Sequence, residues 1–180
     1  MTEIEVKIKI DDLAEIKKRI VALKAELDRA RHREENTLYD FASKDLYKKH
    51  HALRIRRVNR KTFLTFKGAT QKSRKFKIRE EYETEVRNEK QLLKILKSLG
   101  LQPVFSYSKY RTVFRKKRLK ICLDETSVGN YLELEGQQNE IVRFAEELDL
   151  SKKDFIKKDY IQLIKEQKNN KDRNESGVNK

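Results

Sequence analysis

The sequence predicts an α+β fold dominated by antiparallel strands. Roughly eight segments alternate charged and apolar residues with the two-residue period of a strand. Roughly four others repeat apolar residues at helical spacing. The strands mostly follow one another as hairpins rather than as strand–helix–strand units, which separates α+β from a parallel α/β sheet.

The elements fall in order along the 180 residues, a length that suits one domain. Glu3 to Ile10 alternates strictly and reads as a half-buried strand. Asp11 or Asp12 caps a helix on which Leu13, Ile16, Ile20, Leu23 and Leu27 share a face. Thr37 to Phe41 is a short strand, and Ala42 to His51 a polar loop with room for one helical turn. Leu53 to Val58 and Thr62 to Lys67 form a hairpin across Asn59 to Lys61, followed by a basic loop from Gly68 to Lys75. Lys77 to Val86 is the next strand, and Asn88 caps a helix over Glu89 to Leu99 that Gly100 stops. Lys109 to Arg115 and Arg118 to Asp124 make a second basic hairpin; Asn130 to Glu135 is the last strand, ended by Gly136. Helices over Asn139 to Leu148 and Ser151 to Glu166 follow, the latter with Ser151 as N-cap. The expected division is a folded domain over residues 1–166 and a polar, disordered tail over 167–180.

Composition narrows the function classes. Lys and Arg number 44 against 29 Asp and Glu, a net charge of +15 that favours anionic partners such as phosphates, nucleic acid or an acidic membrane face. No apolar run approaches the ~20 residues that cross a bilayer. The first residues lack the basic and apolar regions of a signal peptide, so no membrane role is expected. Cys122 is the single cysteine, which excludes an internal disulfide and fits a reducing, cytoplasmic location. His32, His50 and His51 show no zinc-ligand spacing with it and read as surface residues. The five glycines form neither a Walker A sequence nor G-x-G-x-x-G, so any nucleotide is bound without a glycine loop.

Strand period fixes which side chains share a face. One parity holds Glu3, Glu5, Lys7 and Lys9; Arg54 and Arg56; Thr65 and Lys67; Arg79, Glu81, Glu83 and Glu85. Lys109 and Arg111, then Lys120, Cys122 and Asp124, then Glu133 and Glu135 continue it. The other parity holds Ile4, Val6, Ile8, Leu53, Ile55, Leu64, Phe66, Leu119, Ile121, Leu123, Leu132 and Leu134. One face is ionic and the other aliphatic. Periodicity leaves two arrangements open: a solvated outer face with cross-strand ion pairs, or the charge-lined inside of a barrel. The chemistry of the face is suggestive. Carboxylates two apart on a strand point the same way and can share one hard cation. Arginines at that spacing present forked donors to phosphate oxygens. A metal-bound polyphosphate needs both kinds of group converging.

The stretch Glu3-Ile-Glu-Val-Lys7 resembles the E-x-E-x-K signature of the CYTH superfamily, the triphosphate tunnel metalloenzymes named for class IV adenylyl cyclase and thiamine triphosphatase. Segments Leu53 to Arg56, Leu64 to Gly68, Arg79 to Glu83, Lys109 to Arg111, Cys122 to Asp124 and Tyr131 to Glu135 follow in that family's order. The resemblance spans Thr2 to Ile164, and the ordered set is specific where a lone E-x-E-x-K is weak. It implies an eight-stranded antiparallel barrel, open as a tunnel with helices outside, and so turns the ionic parity inward. By position it implies metal-site carboxylates at Glu3, Glu5, Glu133 and Glu135, with Glu81 and Glu83 as further metal or water-orienting groups. It implies a triphosphate cradle of Lys7, Arg54, Arg56, Lys67, Lys109 and Arg111. Asp124 resembles an acidic residue near a second metal or the nucleophile; Lys7, Arg56 and Asp124 are the implied catalytic residues. Lys9, Lys120 and Glu85 share the parity with a less clear match, Cys122 has no implied chemistry, and Tyr39 and Asp40 fall where a structural role is expected. The implied cofactor is Mg²⁺ or Mn²⁺, and the implied partner a small triphosphate: ATP, tripolyphosphate or thiamine triphosphate.

The wording of Leu123 to Glu125 and Val128 to Glu135 is closest to the bacterial and archaeal cyclase-like branch, which converts ATP to cyclic AMP and pyrophosphate. Triphosphate hydrolysis is the alternative within the same site. A nucleic-acid binder draws support from the basic runs Lys72 to Lys77 and Arg115 to Lys120, but no strand face interleaves aromatics with bases as a stacking platform would. Those loops read instead as rims that steer a polyanion inward. A catalytically dead scaffold is disfavoured by the intact acidic and basic sets. Oligomeric state is open, a homodimer included.

Overall fold

The chain's computed structural model describes residues 2–176, and side chains as far as 170. Eight strands are present: β1 (Thr2–Ile10), β2 (Glu26–Phe41), β3 (Ala52–Val58), β4 (Lys61–Lys67), β5 (Lys77–Val86), β6 (Leu101–Lys116), β7 (Leu119–Thr126) and β8 (Gly129–Glu135). All neighbours are antiparallel, and the order β1, β5, β4, β3, β2, β6, β7, β8 closes on itself through pairing of β8 with β1. Five helices accompany them: α1 (Leu13–Ala22), α2 (Asp45–Lys48), α3 (Glu89–Ser98), α4 (Gln138–Glu147) and α5 (Tyr160–Ser176).

Closure settles the ambiguity of the two faces. The aliphatic parity points outward and is covered by helices. Val6, Ile8, Ile121, Leu123, Leu132 and Leu134 form one core with Ile16 and Ile20 of α1 and Ile141, Phe144 and Leu148 of the α4 region. Ile55, Leu53 and Leu64 pack with Leu92, Leu93 and Leu96 of α3. Burying such side chains contributes about 1.5–3 kcal/mol each, which fixes strand register because a one-residue slip would turn charges onto the helices. The ionic parity faces the barrel interior, where Glu5, Lys7, Arg79, Lys109, Arg111, Asp124 and Glu133 are buried.

Several local expectations hold. Asp12 caps α1, its Oδ1 accepting from the backbone N–H of Ala14 and Glu15 at 2.9 Å. Asn88 caps α3 through Gln91 N–H at 3.0 Å. Gly100, at φ +83°, ends α3 in the left-handed region.

Others are corrected. Leu27 is not on the first helix: Lys24 takes a left-handed φ of 59°, the chain turns, and Leu27 lies in β2, which begins at Glu26. The strand expected at Thr37 to Phe41 is the end of a 16-residue strand, and β6 also starts earlier than expected, at Leu101. The two pair along their lengths. The outer half of β2 carries no apolar face, so alternation gave no signal there. Ser151 caps no helix. Residues 151–159 form turns and a single antiparallel bridge from Ile156 to Lys7, and α5 begins at Tyr160. Helix α5 continues to Ser176, into the stretch read as a disordered tail, while residues 177–180 lie outside the described residues. His32, read as a surface residue, is buried, with Nδ1 2.8 Å from the Ala30 carbonyl oxygen. No helix among the described residues is long and apolar enough to cross a membrane.

Candidate functional site

A cavity of about 870 Å³ occupies the barrel. Glu3, Glu5, Lys7, Arg54, Arg56, Lys67, Glu81, Glu83, Lys109, Arg111, Glu133 and Glu135 all line it. Asp124 does not line it; this carboxylate is 0% exposed. Lys120 also faces the cavity and pairs with Glu135 at 2.7 Å, whereas Lys9 and Glu85 are exposed, Glu85 bound to Lys61.

The charges form three connected groups. In the first, Asp124 accepts from Lys109 Nζ at 2.9 Å, from Arg111 Nε and Nη2 at 2.6 Å each, and from the Tyr160 hydroxyl at 2.5 Å. Four donors on one carboxylate lock the two cations in direction. In the second, Arg111 Nη2 also reaches Glu133 at 2.8 Å, Glu133 pairs with Lys7 at 2.9 Å, and Glu5 lies 3.2 Å from Lys7 and 3.1 Å from Lys77. In the third, Lys67 pairs with Glu3 at 3.0 Å and with Glu81. Glu83 accepts from Arg56 at 2.8 Å and Thr65 at 2.7 Å, with Arg54 at 3.5 Å.

These neighbours set the ionisation. Burial pushes the Glu3 carboxyl up to about 7, helped by a hydrogen bond with Glu81 and opposed by Lys67. Burial would raise Glu133 as well, but the charges of Arg111, Lys7 and Lys109 hold it well below the usual carboxylate range. Glu5 is likewise lowered, with Lys7 and Lys77 outweighing its burial. Lys7 is raised because Glu133 and Glu5 outweigh its burial. Cys122 points inward and burial pushes its thiol up to about 12, which disfavours the nucleophilic thiolate.

The carboxylates also press on one another: Glu81 and Glu5 raise Glu3, and Glu133 raises Glu5. Even so, among the described residues no three or more His, Cys, Asp or Glu side chains gather into a metal cage of their own. Cations are threaded between them.

A sequence profile of the CYTH domain matches residues 1–169. The chain belongs to the CYTH family. A Methanocaldococcus jannaschii protein named as a candidate adenylate cyclase is 27% identical over 174 residues, covering 91% of this chain and 98% of its own. A solved Vibrio parahaemolyticus structure, described as a candidate adenylate cyclase, matches with a TM-score of 0.82 at 16% identity over 92% of this chain and 98% of that one. A Hippeastrum protein, described as a candidate adenylyl cyclase with a dominant triphosphatase activity, matches at 0.60 and 22% identity over 82% and 88%. At such identities the two structures speak to the CYTH fold.

Within this CYTH barrel, sequence reasoning missed Glu34, Lys77 and Tyr160. Glu34 is 2% exposed between His32, Arg56 and Lys109, at 3.5, 3.5 and 3.6 Å. It sits in the half of β2 that carried no strand signal. Lys77 opens β5 on the ionic parity, two residues before Arg79, and was read only as a strand start. Tyr160 comes from α5, outside the strands, so parity could not place it; its ring packs 6.1 Å from Tyr107 and 5.6 Å from Tyr131. Asp40 has the structural part expected of it, accepting from the backbone N–H of Phe41, Leu46 and Tyr47 to hold α2.

Proposed function

We propose that this CYTH protein is a divalent-metal-dependent enzyme that binds a triphosphate inside its barrel and converts ATP to cyclic AMP and pyrophosphate. The observation that carries it is the cavity wall, where Lys7, Arg54, Arg56, Lys67, Lys109 and Arg111 converge with carboxylates around one space. The near full-length M. jannaschii relative, with its adenylate cyclase name, favours ATP cyclisation.

The carboxylates fit a hard divalent ion. Glu5 and Glu81 press on Glu3 and Glu133 presses on Glu5, and Mg²⁺ or Mn²⁺ is commonly held by one or two carboxylates together with substrate phosphates rather than by an all-protein cage. In this reading one or two of Glu3, Glu5, Glu81 and Glu133 hold the ion together with phosphate oxygens, with Glu83 and Glu135 beside them. Such an ion supplies Lewis acidity, polarising phosphate oxygens and an attacking hydroxyl. Lys7, Arg54, Arg56, Lys67, Lys109 and Arg111 cradle the phosphate oxygens and neutralise charge that builds on them during displacement. Asp124 is assigned a different part from a metal ligand: fully buried off the cavity and engaged by four donors, it orients Lys109 and Arg111 toward the cavity. Held in the barrel, the substrate would be positioned so that the attacking oxygen, the phosphorus and the leaving oxygen lie in line, as phosphoryl and nucleotidyl transfer require.

Triphosphate hydrolysis is the second reading, favoured by the activity attributed to the Hippeastrum protein. A small-molecule partner and a cytoplasmic location, where ATP is available, follow from either. Incubation with ATP, tripolyphosphate and thiamine triphosphate, each with Mg²⁺, Mn²⁺ or chelator, separates them. Cyclic AMP with pyrophosphate supports cyclisation, metal-dependent release of orthophosphate supports hydrolysis, and no turnover of any triphosphate refutes both.

A further inference from the structure

We propose that Arg79 is a phosphate-binding residue of the tunnel and the buried cation that an incoming triphosphate engages without first breaking an internal ion pair. It rests on the reading of the barrel as a triphosphate site and gives a part to Arg79, which the resemblance leaves without one.

Arg79 lies on the inward face of β5, lines the cavity and is 5% exposed. Its Nε is fully enclosed without a hydrogen-bond partner, and among the described residues its guanidinium makes no ion pair. Every other buried cation on the cavity wall is engaged: Lys7 with Glu133, Lys77 with Glu5, and Lys109 and Arg111 with Asp124. The carboxylate facing Arg79 across the β1–β5 register is Glu3, and that group is taken by Lys67.

A buried charge without a partner is one of the costliest arrangements in a folded protein. Lys77, two residues earlier on the same strand face, adds a like charge and makes the position less favourable still. Nothing in packing explains a guanidinium there, since its apolar stem could be supplied by Met or Leu. An anion in the cavity would explain it. The planar fork of arginine matches two oxygens of one phosphate, and the pairing gains strength from the enclosure that makes the free charge costly. The cradle residues must exchange a carboxylate for a phosphate, whereas Arg79 has no carboxylate to release.

The test compares wild type with Arg79→Gln and Arg79→Lys, using inorganic tripolyphosphate as probe in calorimetric titrations with chelator and again with Mg²⁺. Arg79→Gln is expected to weaken binding by about tenfold to a hundredfold, the range for one charge-assisted contact. Arg79→Lys should recover part of it. The melting temperature of ligand-free Arg79→Gln should equal or exceed that of wild type, because an uncompensated charge has been removed. Binding by Arg79→Gln within twofold of wild type overturns the assignment. So does a marked fall in its ligand-free melting temperature, which would mean that the guanidinium is holding the fold. Failure of wild type itself to bind tripolyphosphate in either buffer removes the triphosphate reading, and Arg79's part with it.

Discussion

Replacement of Tyr160 by Phe isolates one contact between the C-terminal helix and the barrel interior. The Tyr160 hydroxyl donates to Asp124 Oδ2 at 2.5 Å, in a position where the residue is 4% exposed. The ring is held separately, against Tyr107 and Tyr131, with Lys109 Nζ 4.7 Å from its centroid. Phe keeps those contacts and deletes only the donor. Asp124 retains Lys109 and Arg111, so no acceptor is orphaned, and the loss is that of one hydrogen bond to a charged group, about 1.5–3 kcal/mol. For a chain of this length each kcal/mol moves the melting temperature by about 2–4 °C, so a fall of about 3–12 °C is expected by calorimetry or circular dichroism. Burial and the charges of Asp124 and Glu133 push the phenol well above its ordinary value, so it stays a donor and the difference should be the same from pH 6 to pH 9. Tyr160→Ala, which also empties the ring's site, should be worse by a further ~2–4 kcal/mol. A Tyr160→Phe protein that melts within about 1 °C of wild type would mean that the hydroxyl does not bind Asp124 in solution, and the claim that α5 fastens the Asp124–Arg111–Lys109 group would fail.

Glu34 supplies a pH prediction. Burial would raise this carboxyl, but the Arg111 and Lys109 charges, the nearby His32 ring 3.5 Å away and the Arg56 charge hold it well below the usual range. A lowered folded-state value stabilises above the unfolded value near 4.5 and is lost as pH falls through the lower folded value. Glu34→Gln should therefore cost about 3–5 kcal/mol at pH 7, with the gap from wild type narrowing under acid; a gap that widens below pH 4 contradicts the sign. Glu3→Gln should abolish metal-dependent turnover with little change in melting temperature, since Glu3 is already part-protonated near pH 7; retained turnover would sink the metal assignment. Glu5→Gln is the poorer test because it strips Lys7 and Lys77 of a shared buried partner. Cys122, 1% exposed, should resist thiol reagents at pH 8 until the protein is denatured; rapid labelling of the native protein would contradict its inward burial.

The two-residue period of a strand is intrinsic to the backbone, which is why parity alone placed Glu3, Glu5, Lys7, Arg54, Arg56, Lys109, Arg111 and Glu133 on one face. Whether that face met water or a cavity depends on β8 finding β1 more than a hundred residues away, and no local pattern encodes such a pairing. The family resemblance supplied it. Depth was also illegible. Parity put Asp124 beside Arg111 and Lys109 but could not tell that four hydrogen bonds would converge on it, one from a tyrosine of a distant helix. The misplaced last helix has a similar cause: Ser151 is a good capping residue, but Ile156 pairs with Lys7 and holds the segment out of helical form until Tyr160.

The interleaving of acids and bases in the barrel bears on how the proposed ligands would enter. A cavity lined by cations alone would repel itself at the enclosure seen here, and one lined by carboxylates alone would neutralise by taking up protons, as Glu3 partly does. Pairing each cradle cation with a carboxylate removes that difficulty but leaves the cations engaged. On the proposed reading, a triphosphate that takes Lys7, Lys67 or Arg56 releases Glu133, Glu3 or Glu83 from them, and the freed carboxylates suit a divalent ion carried in with the phosphates. Phosphate and metal then each replace one half of an existing ion pair, so the exchange keeps the cavity near neutrality throughout. Arg79 stands outside that exchange, which gives a polyanion a place to dock before any pair has opened.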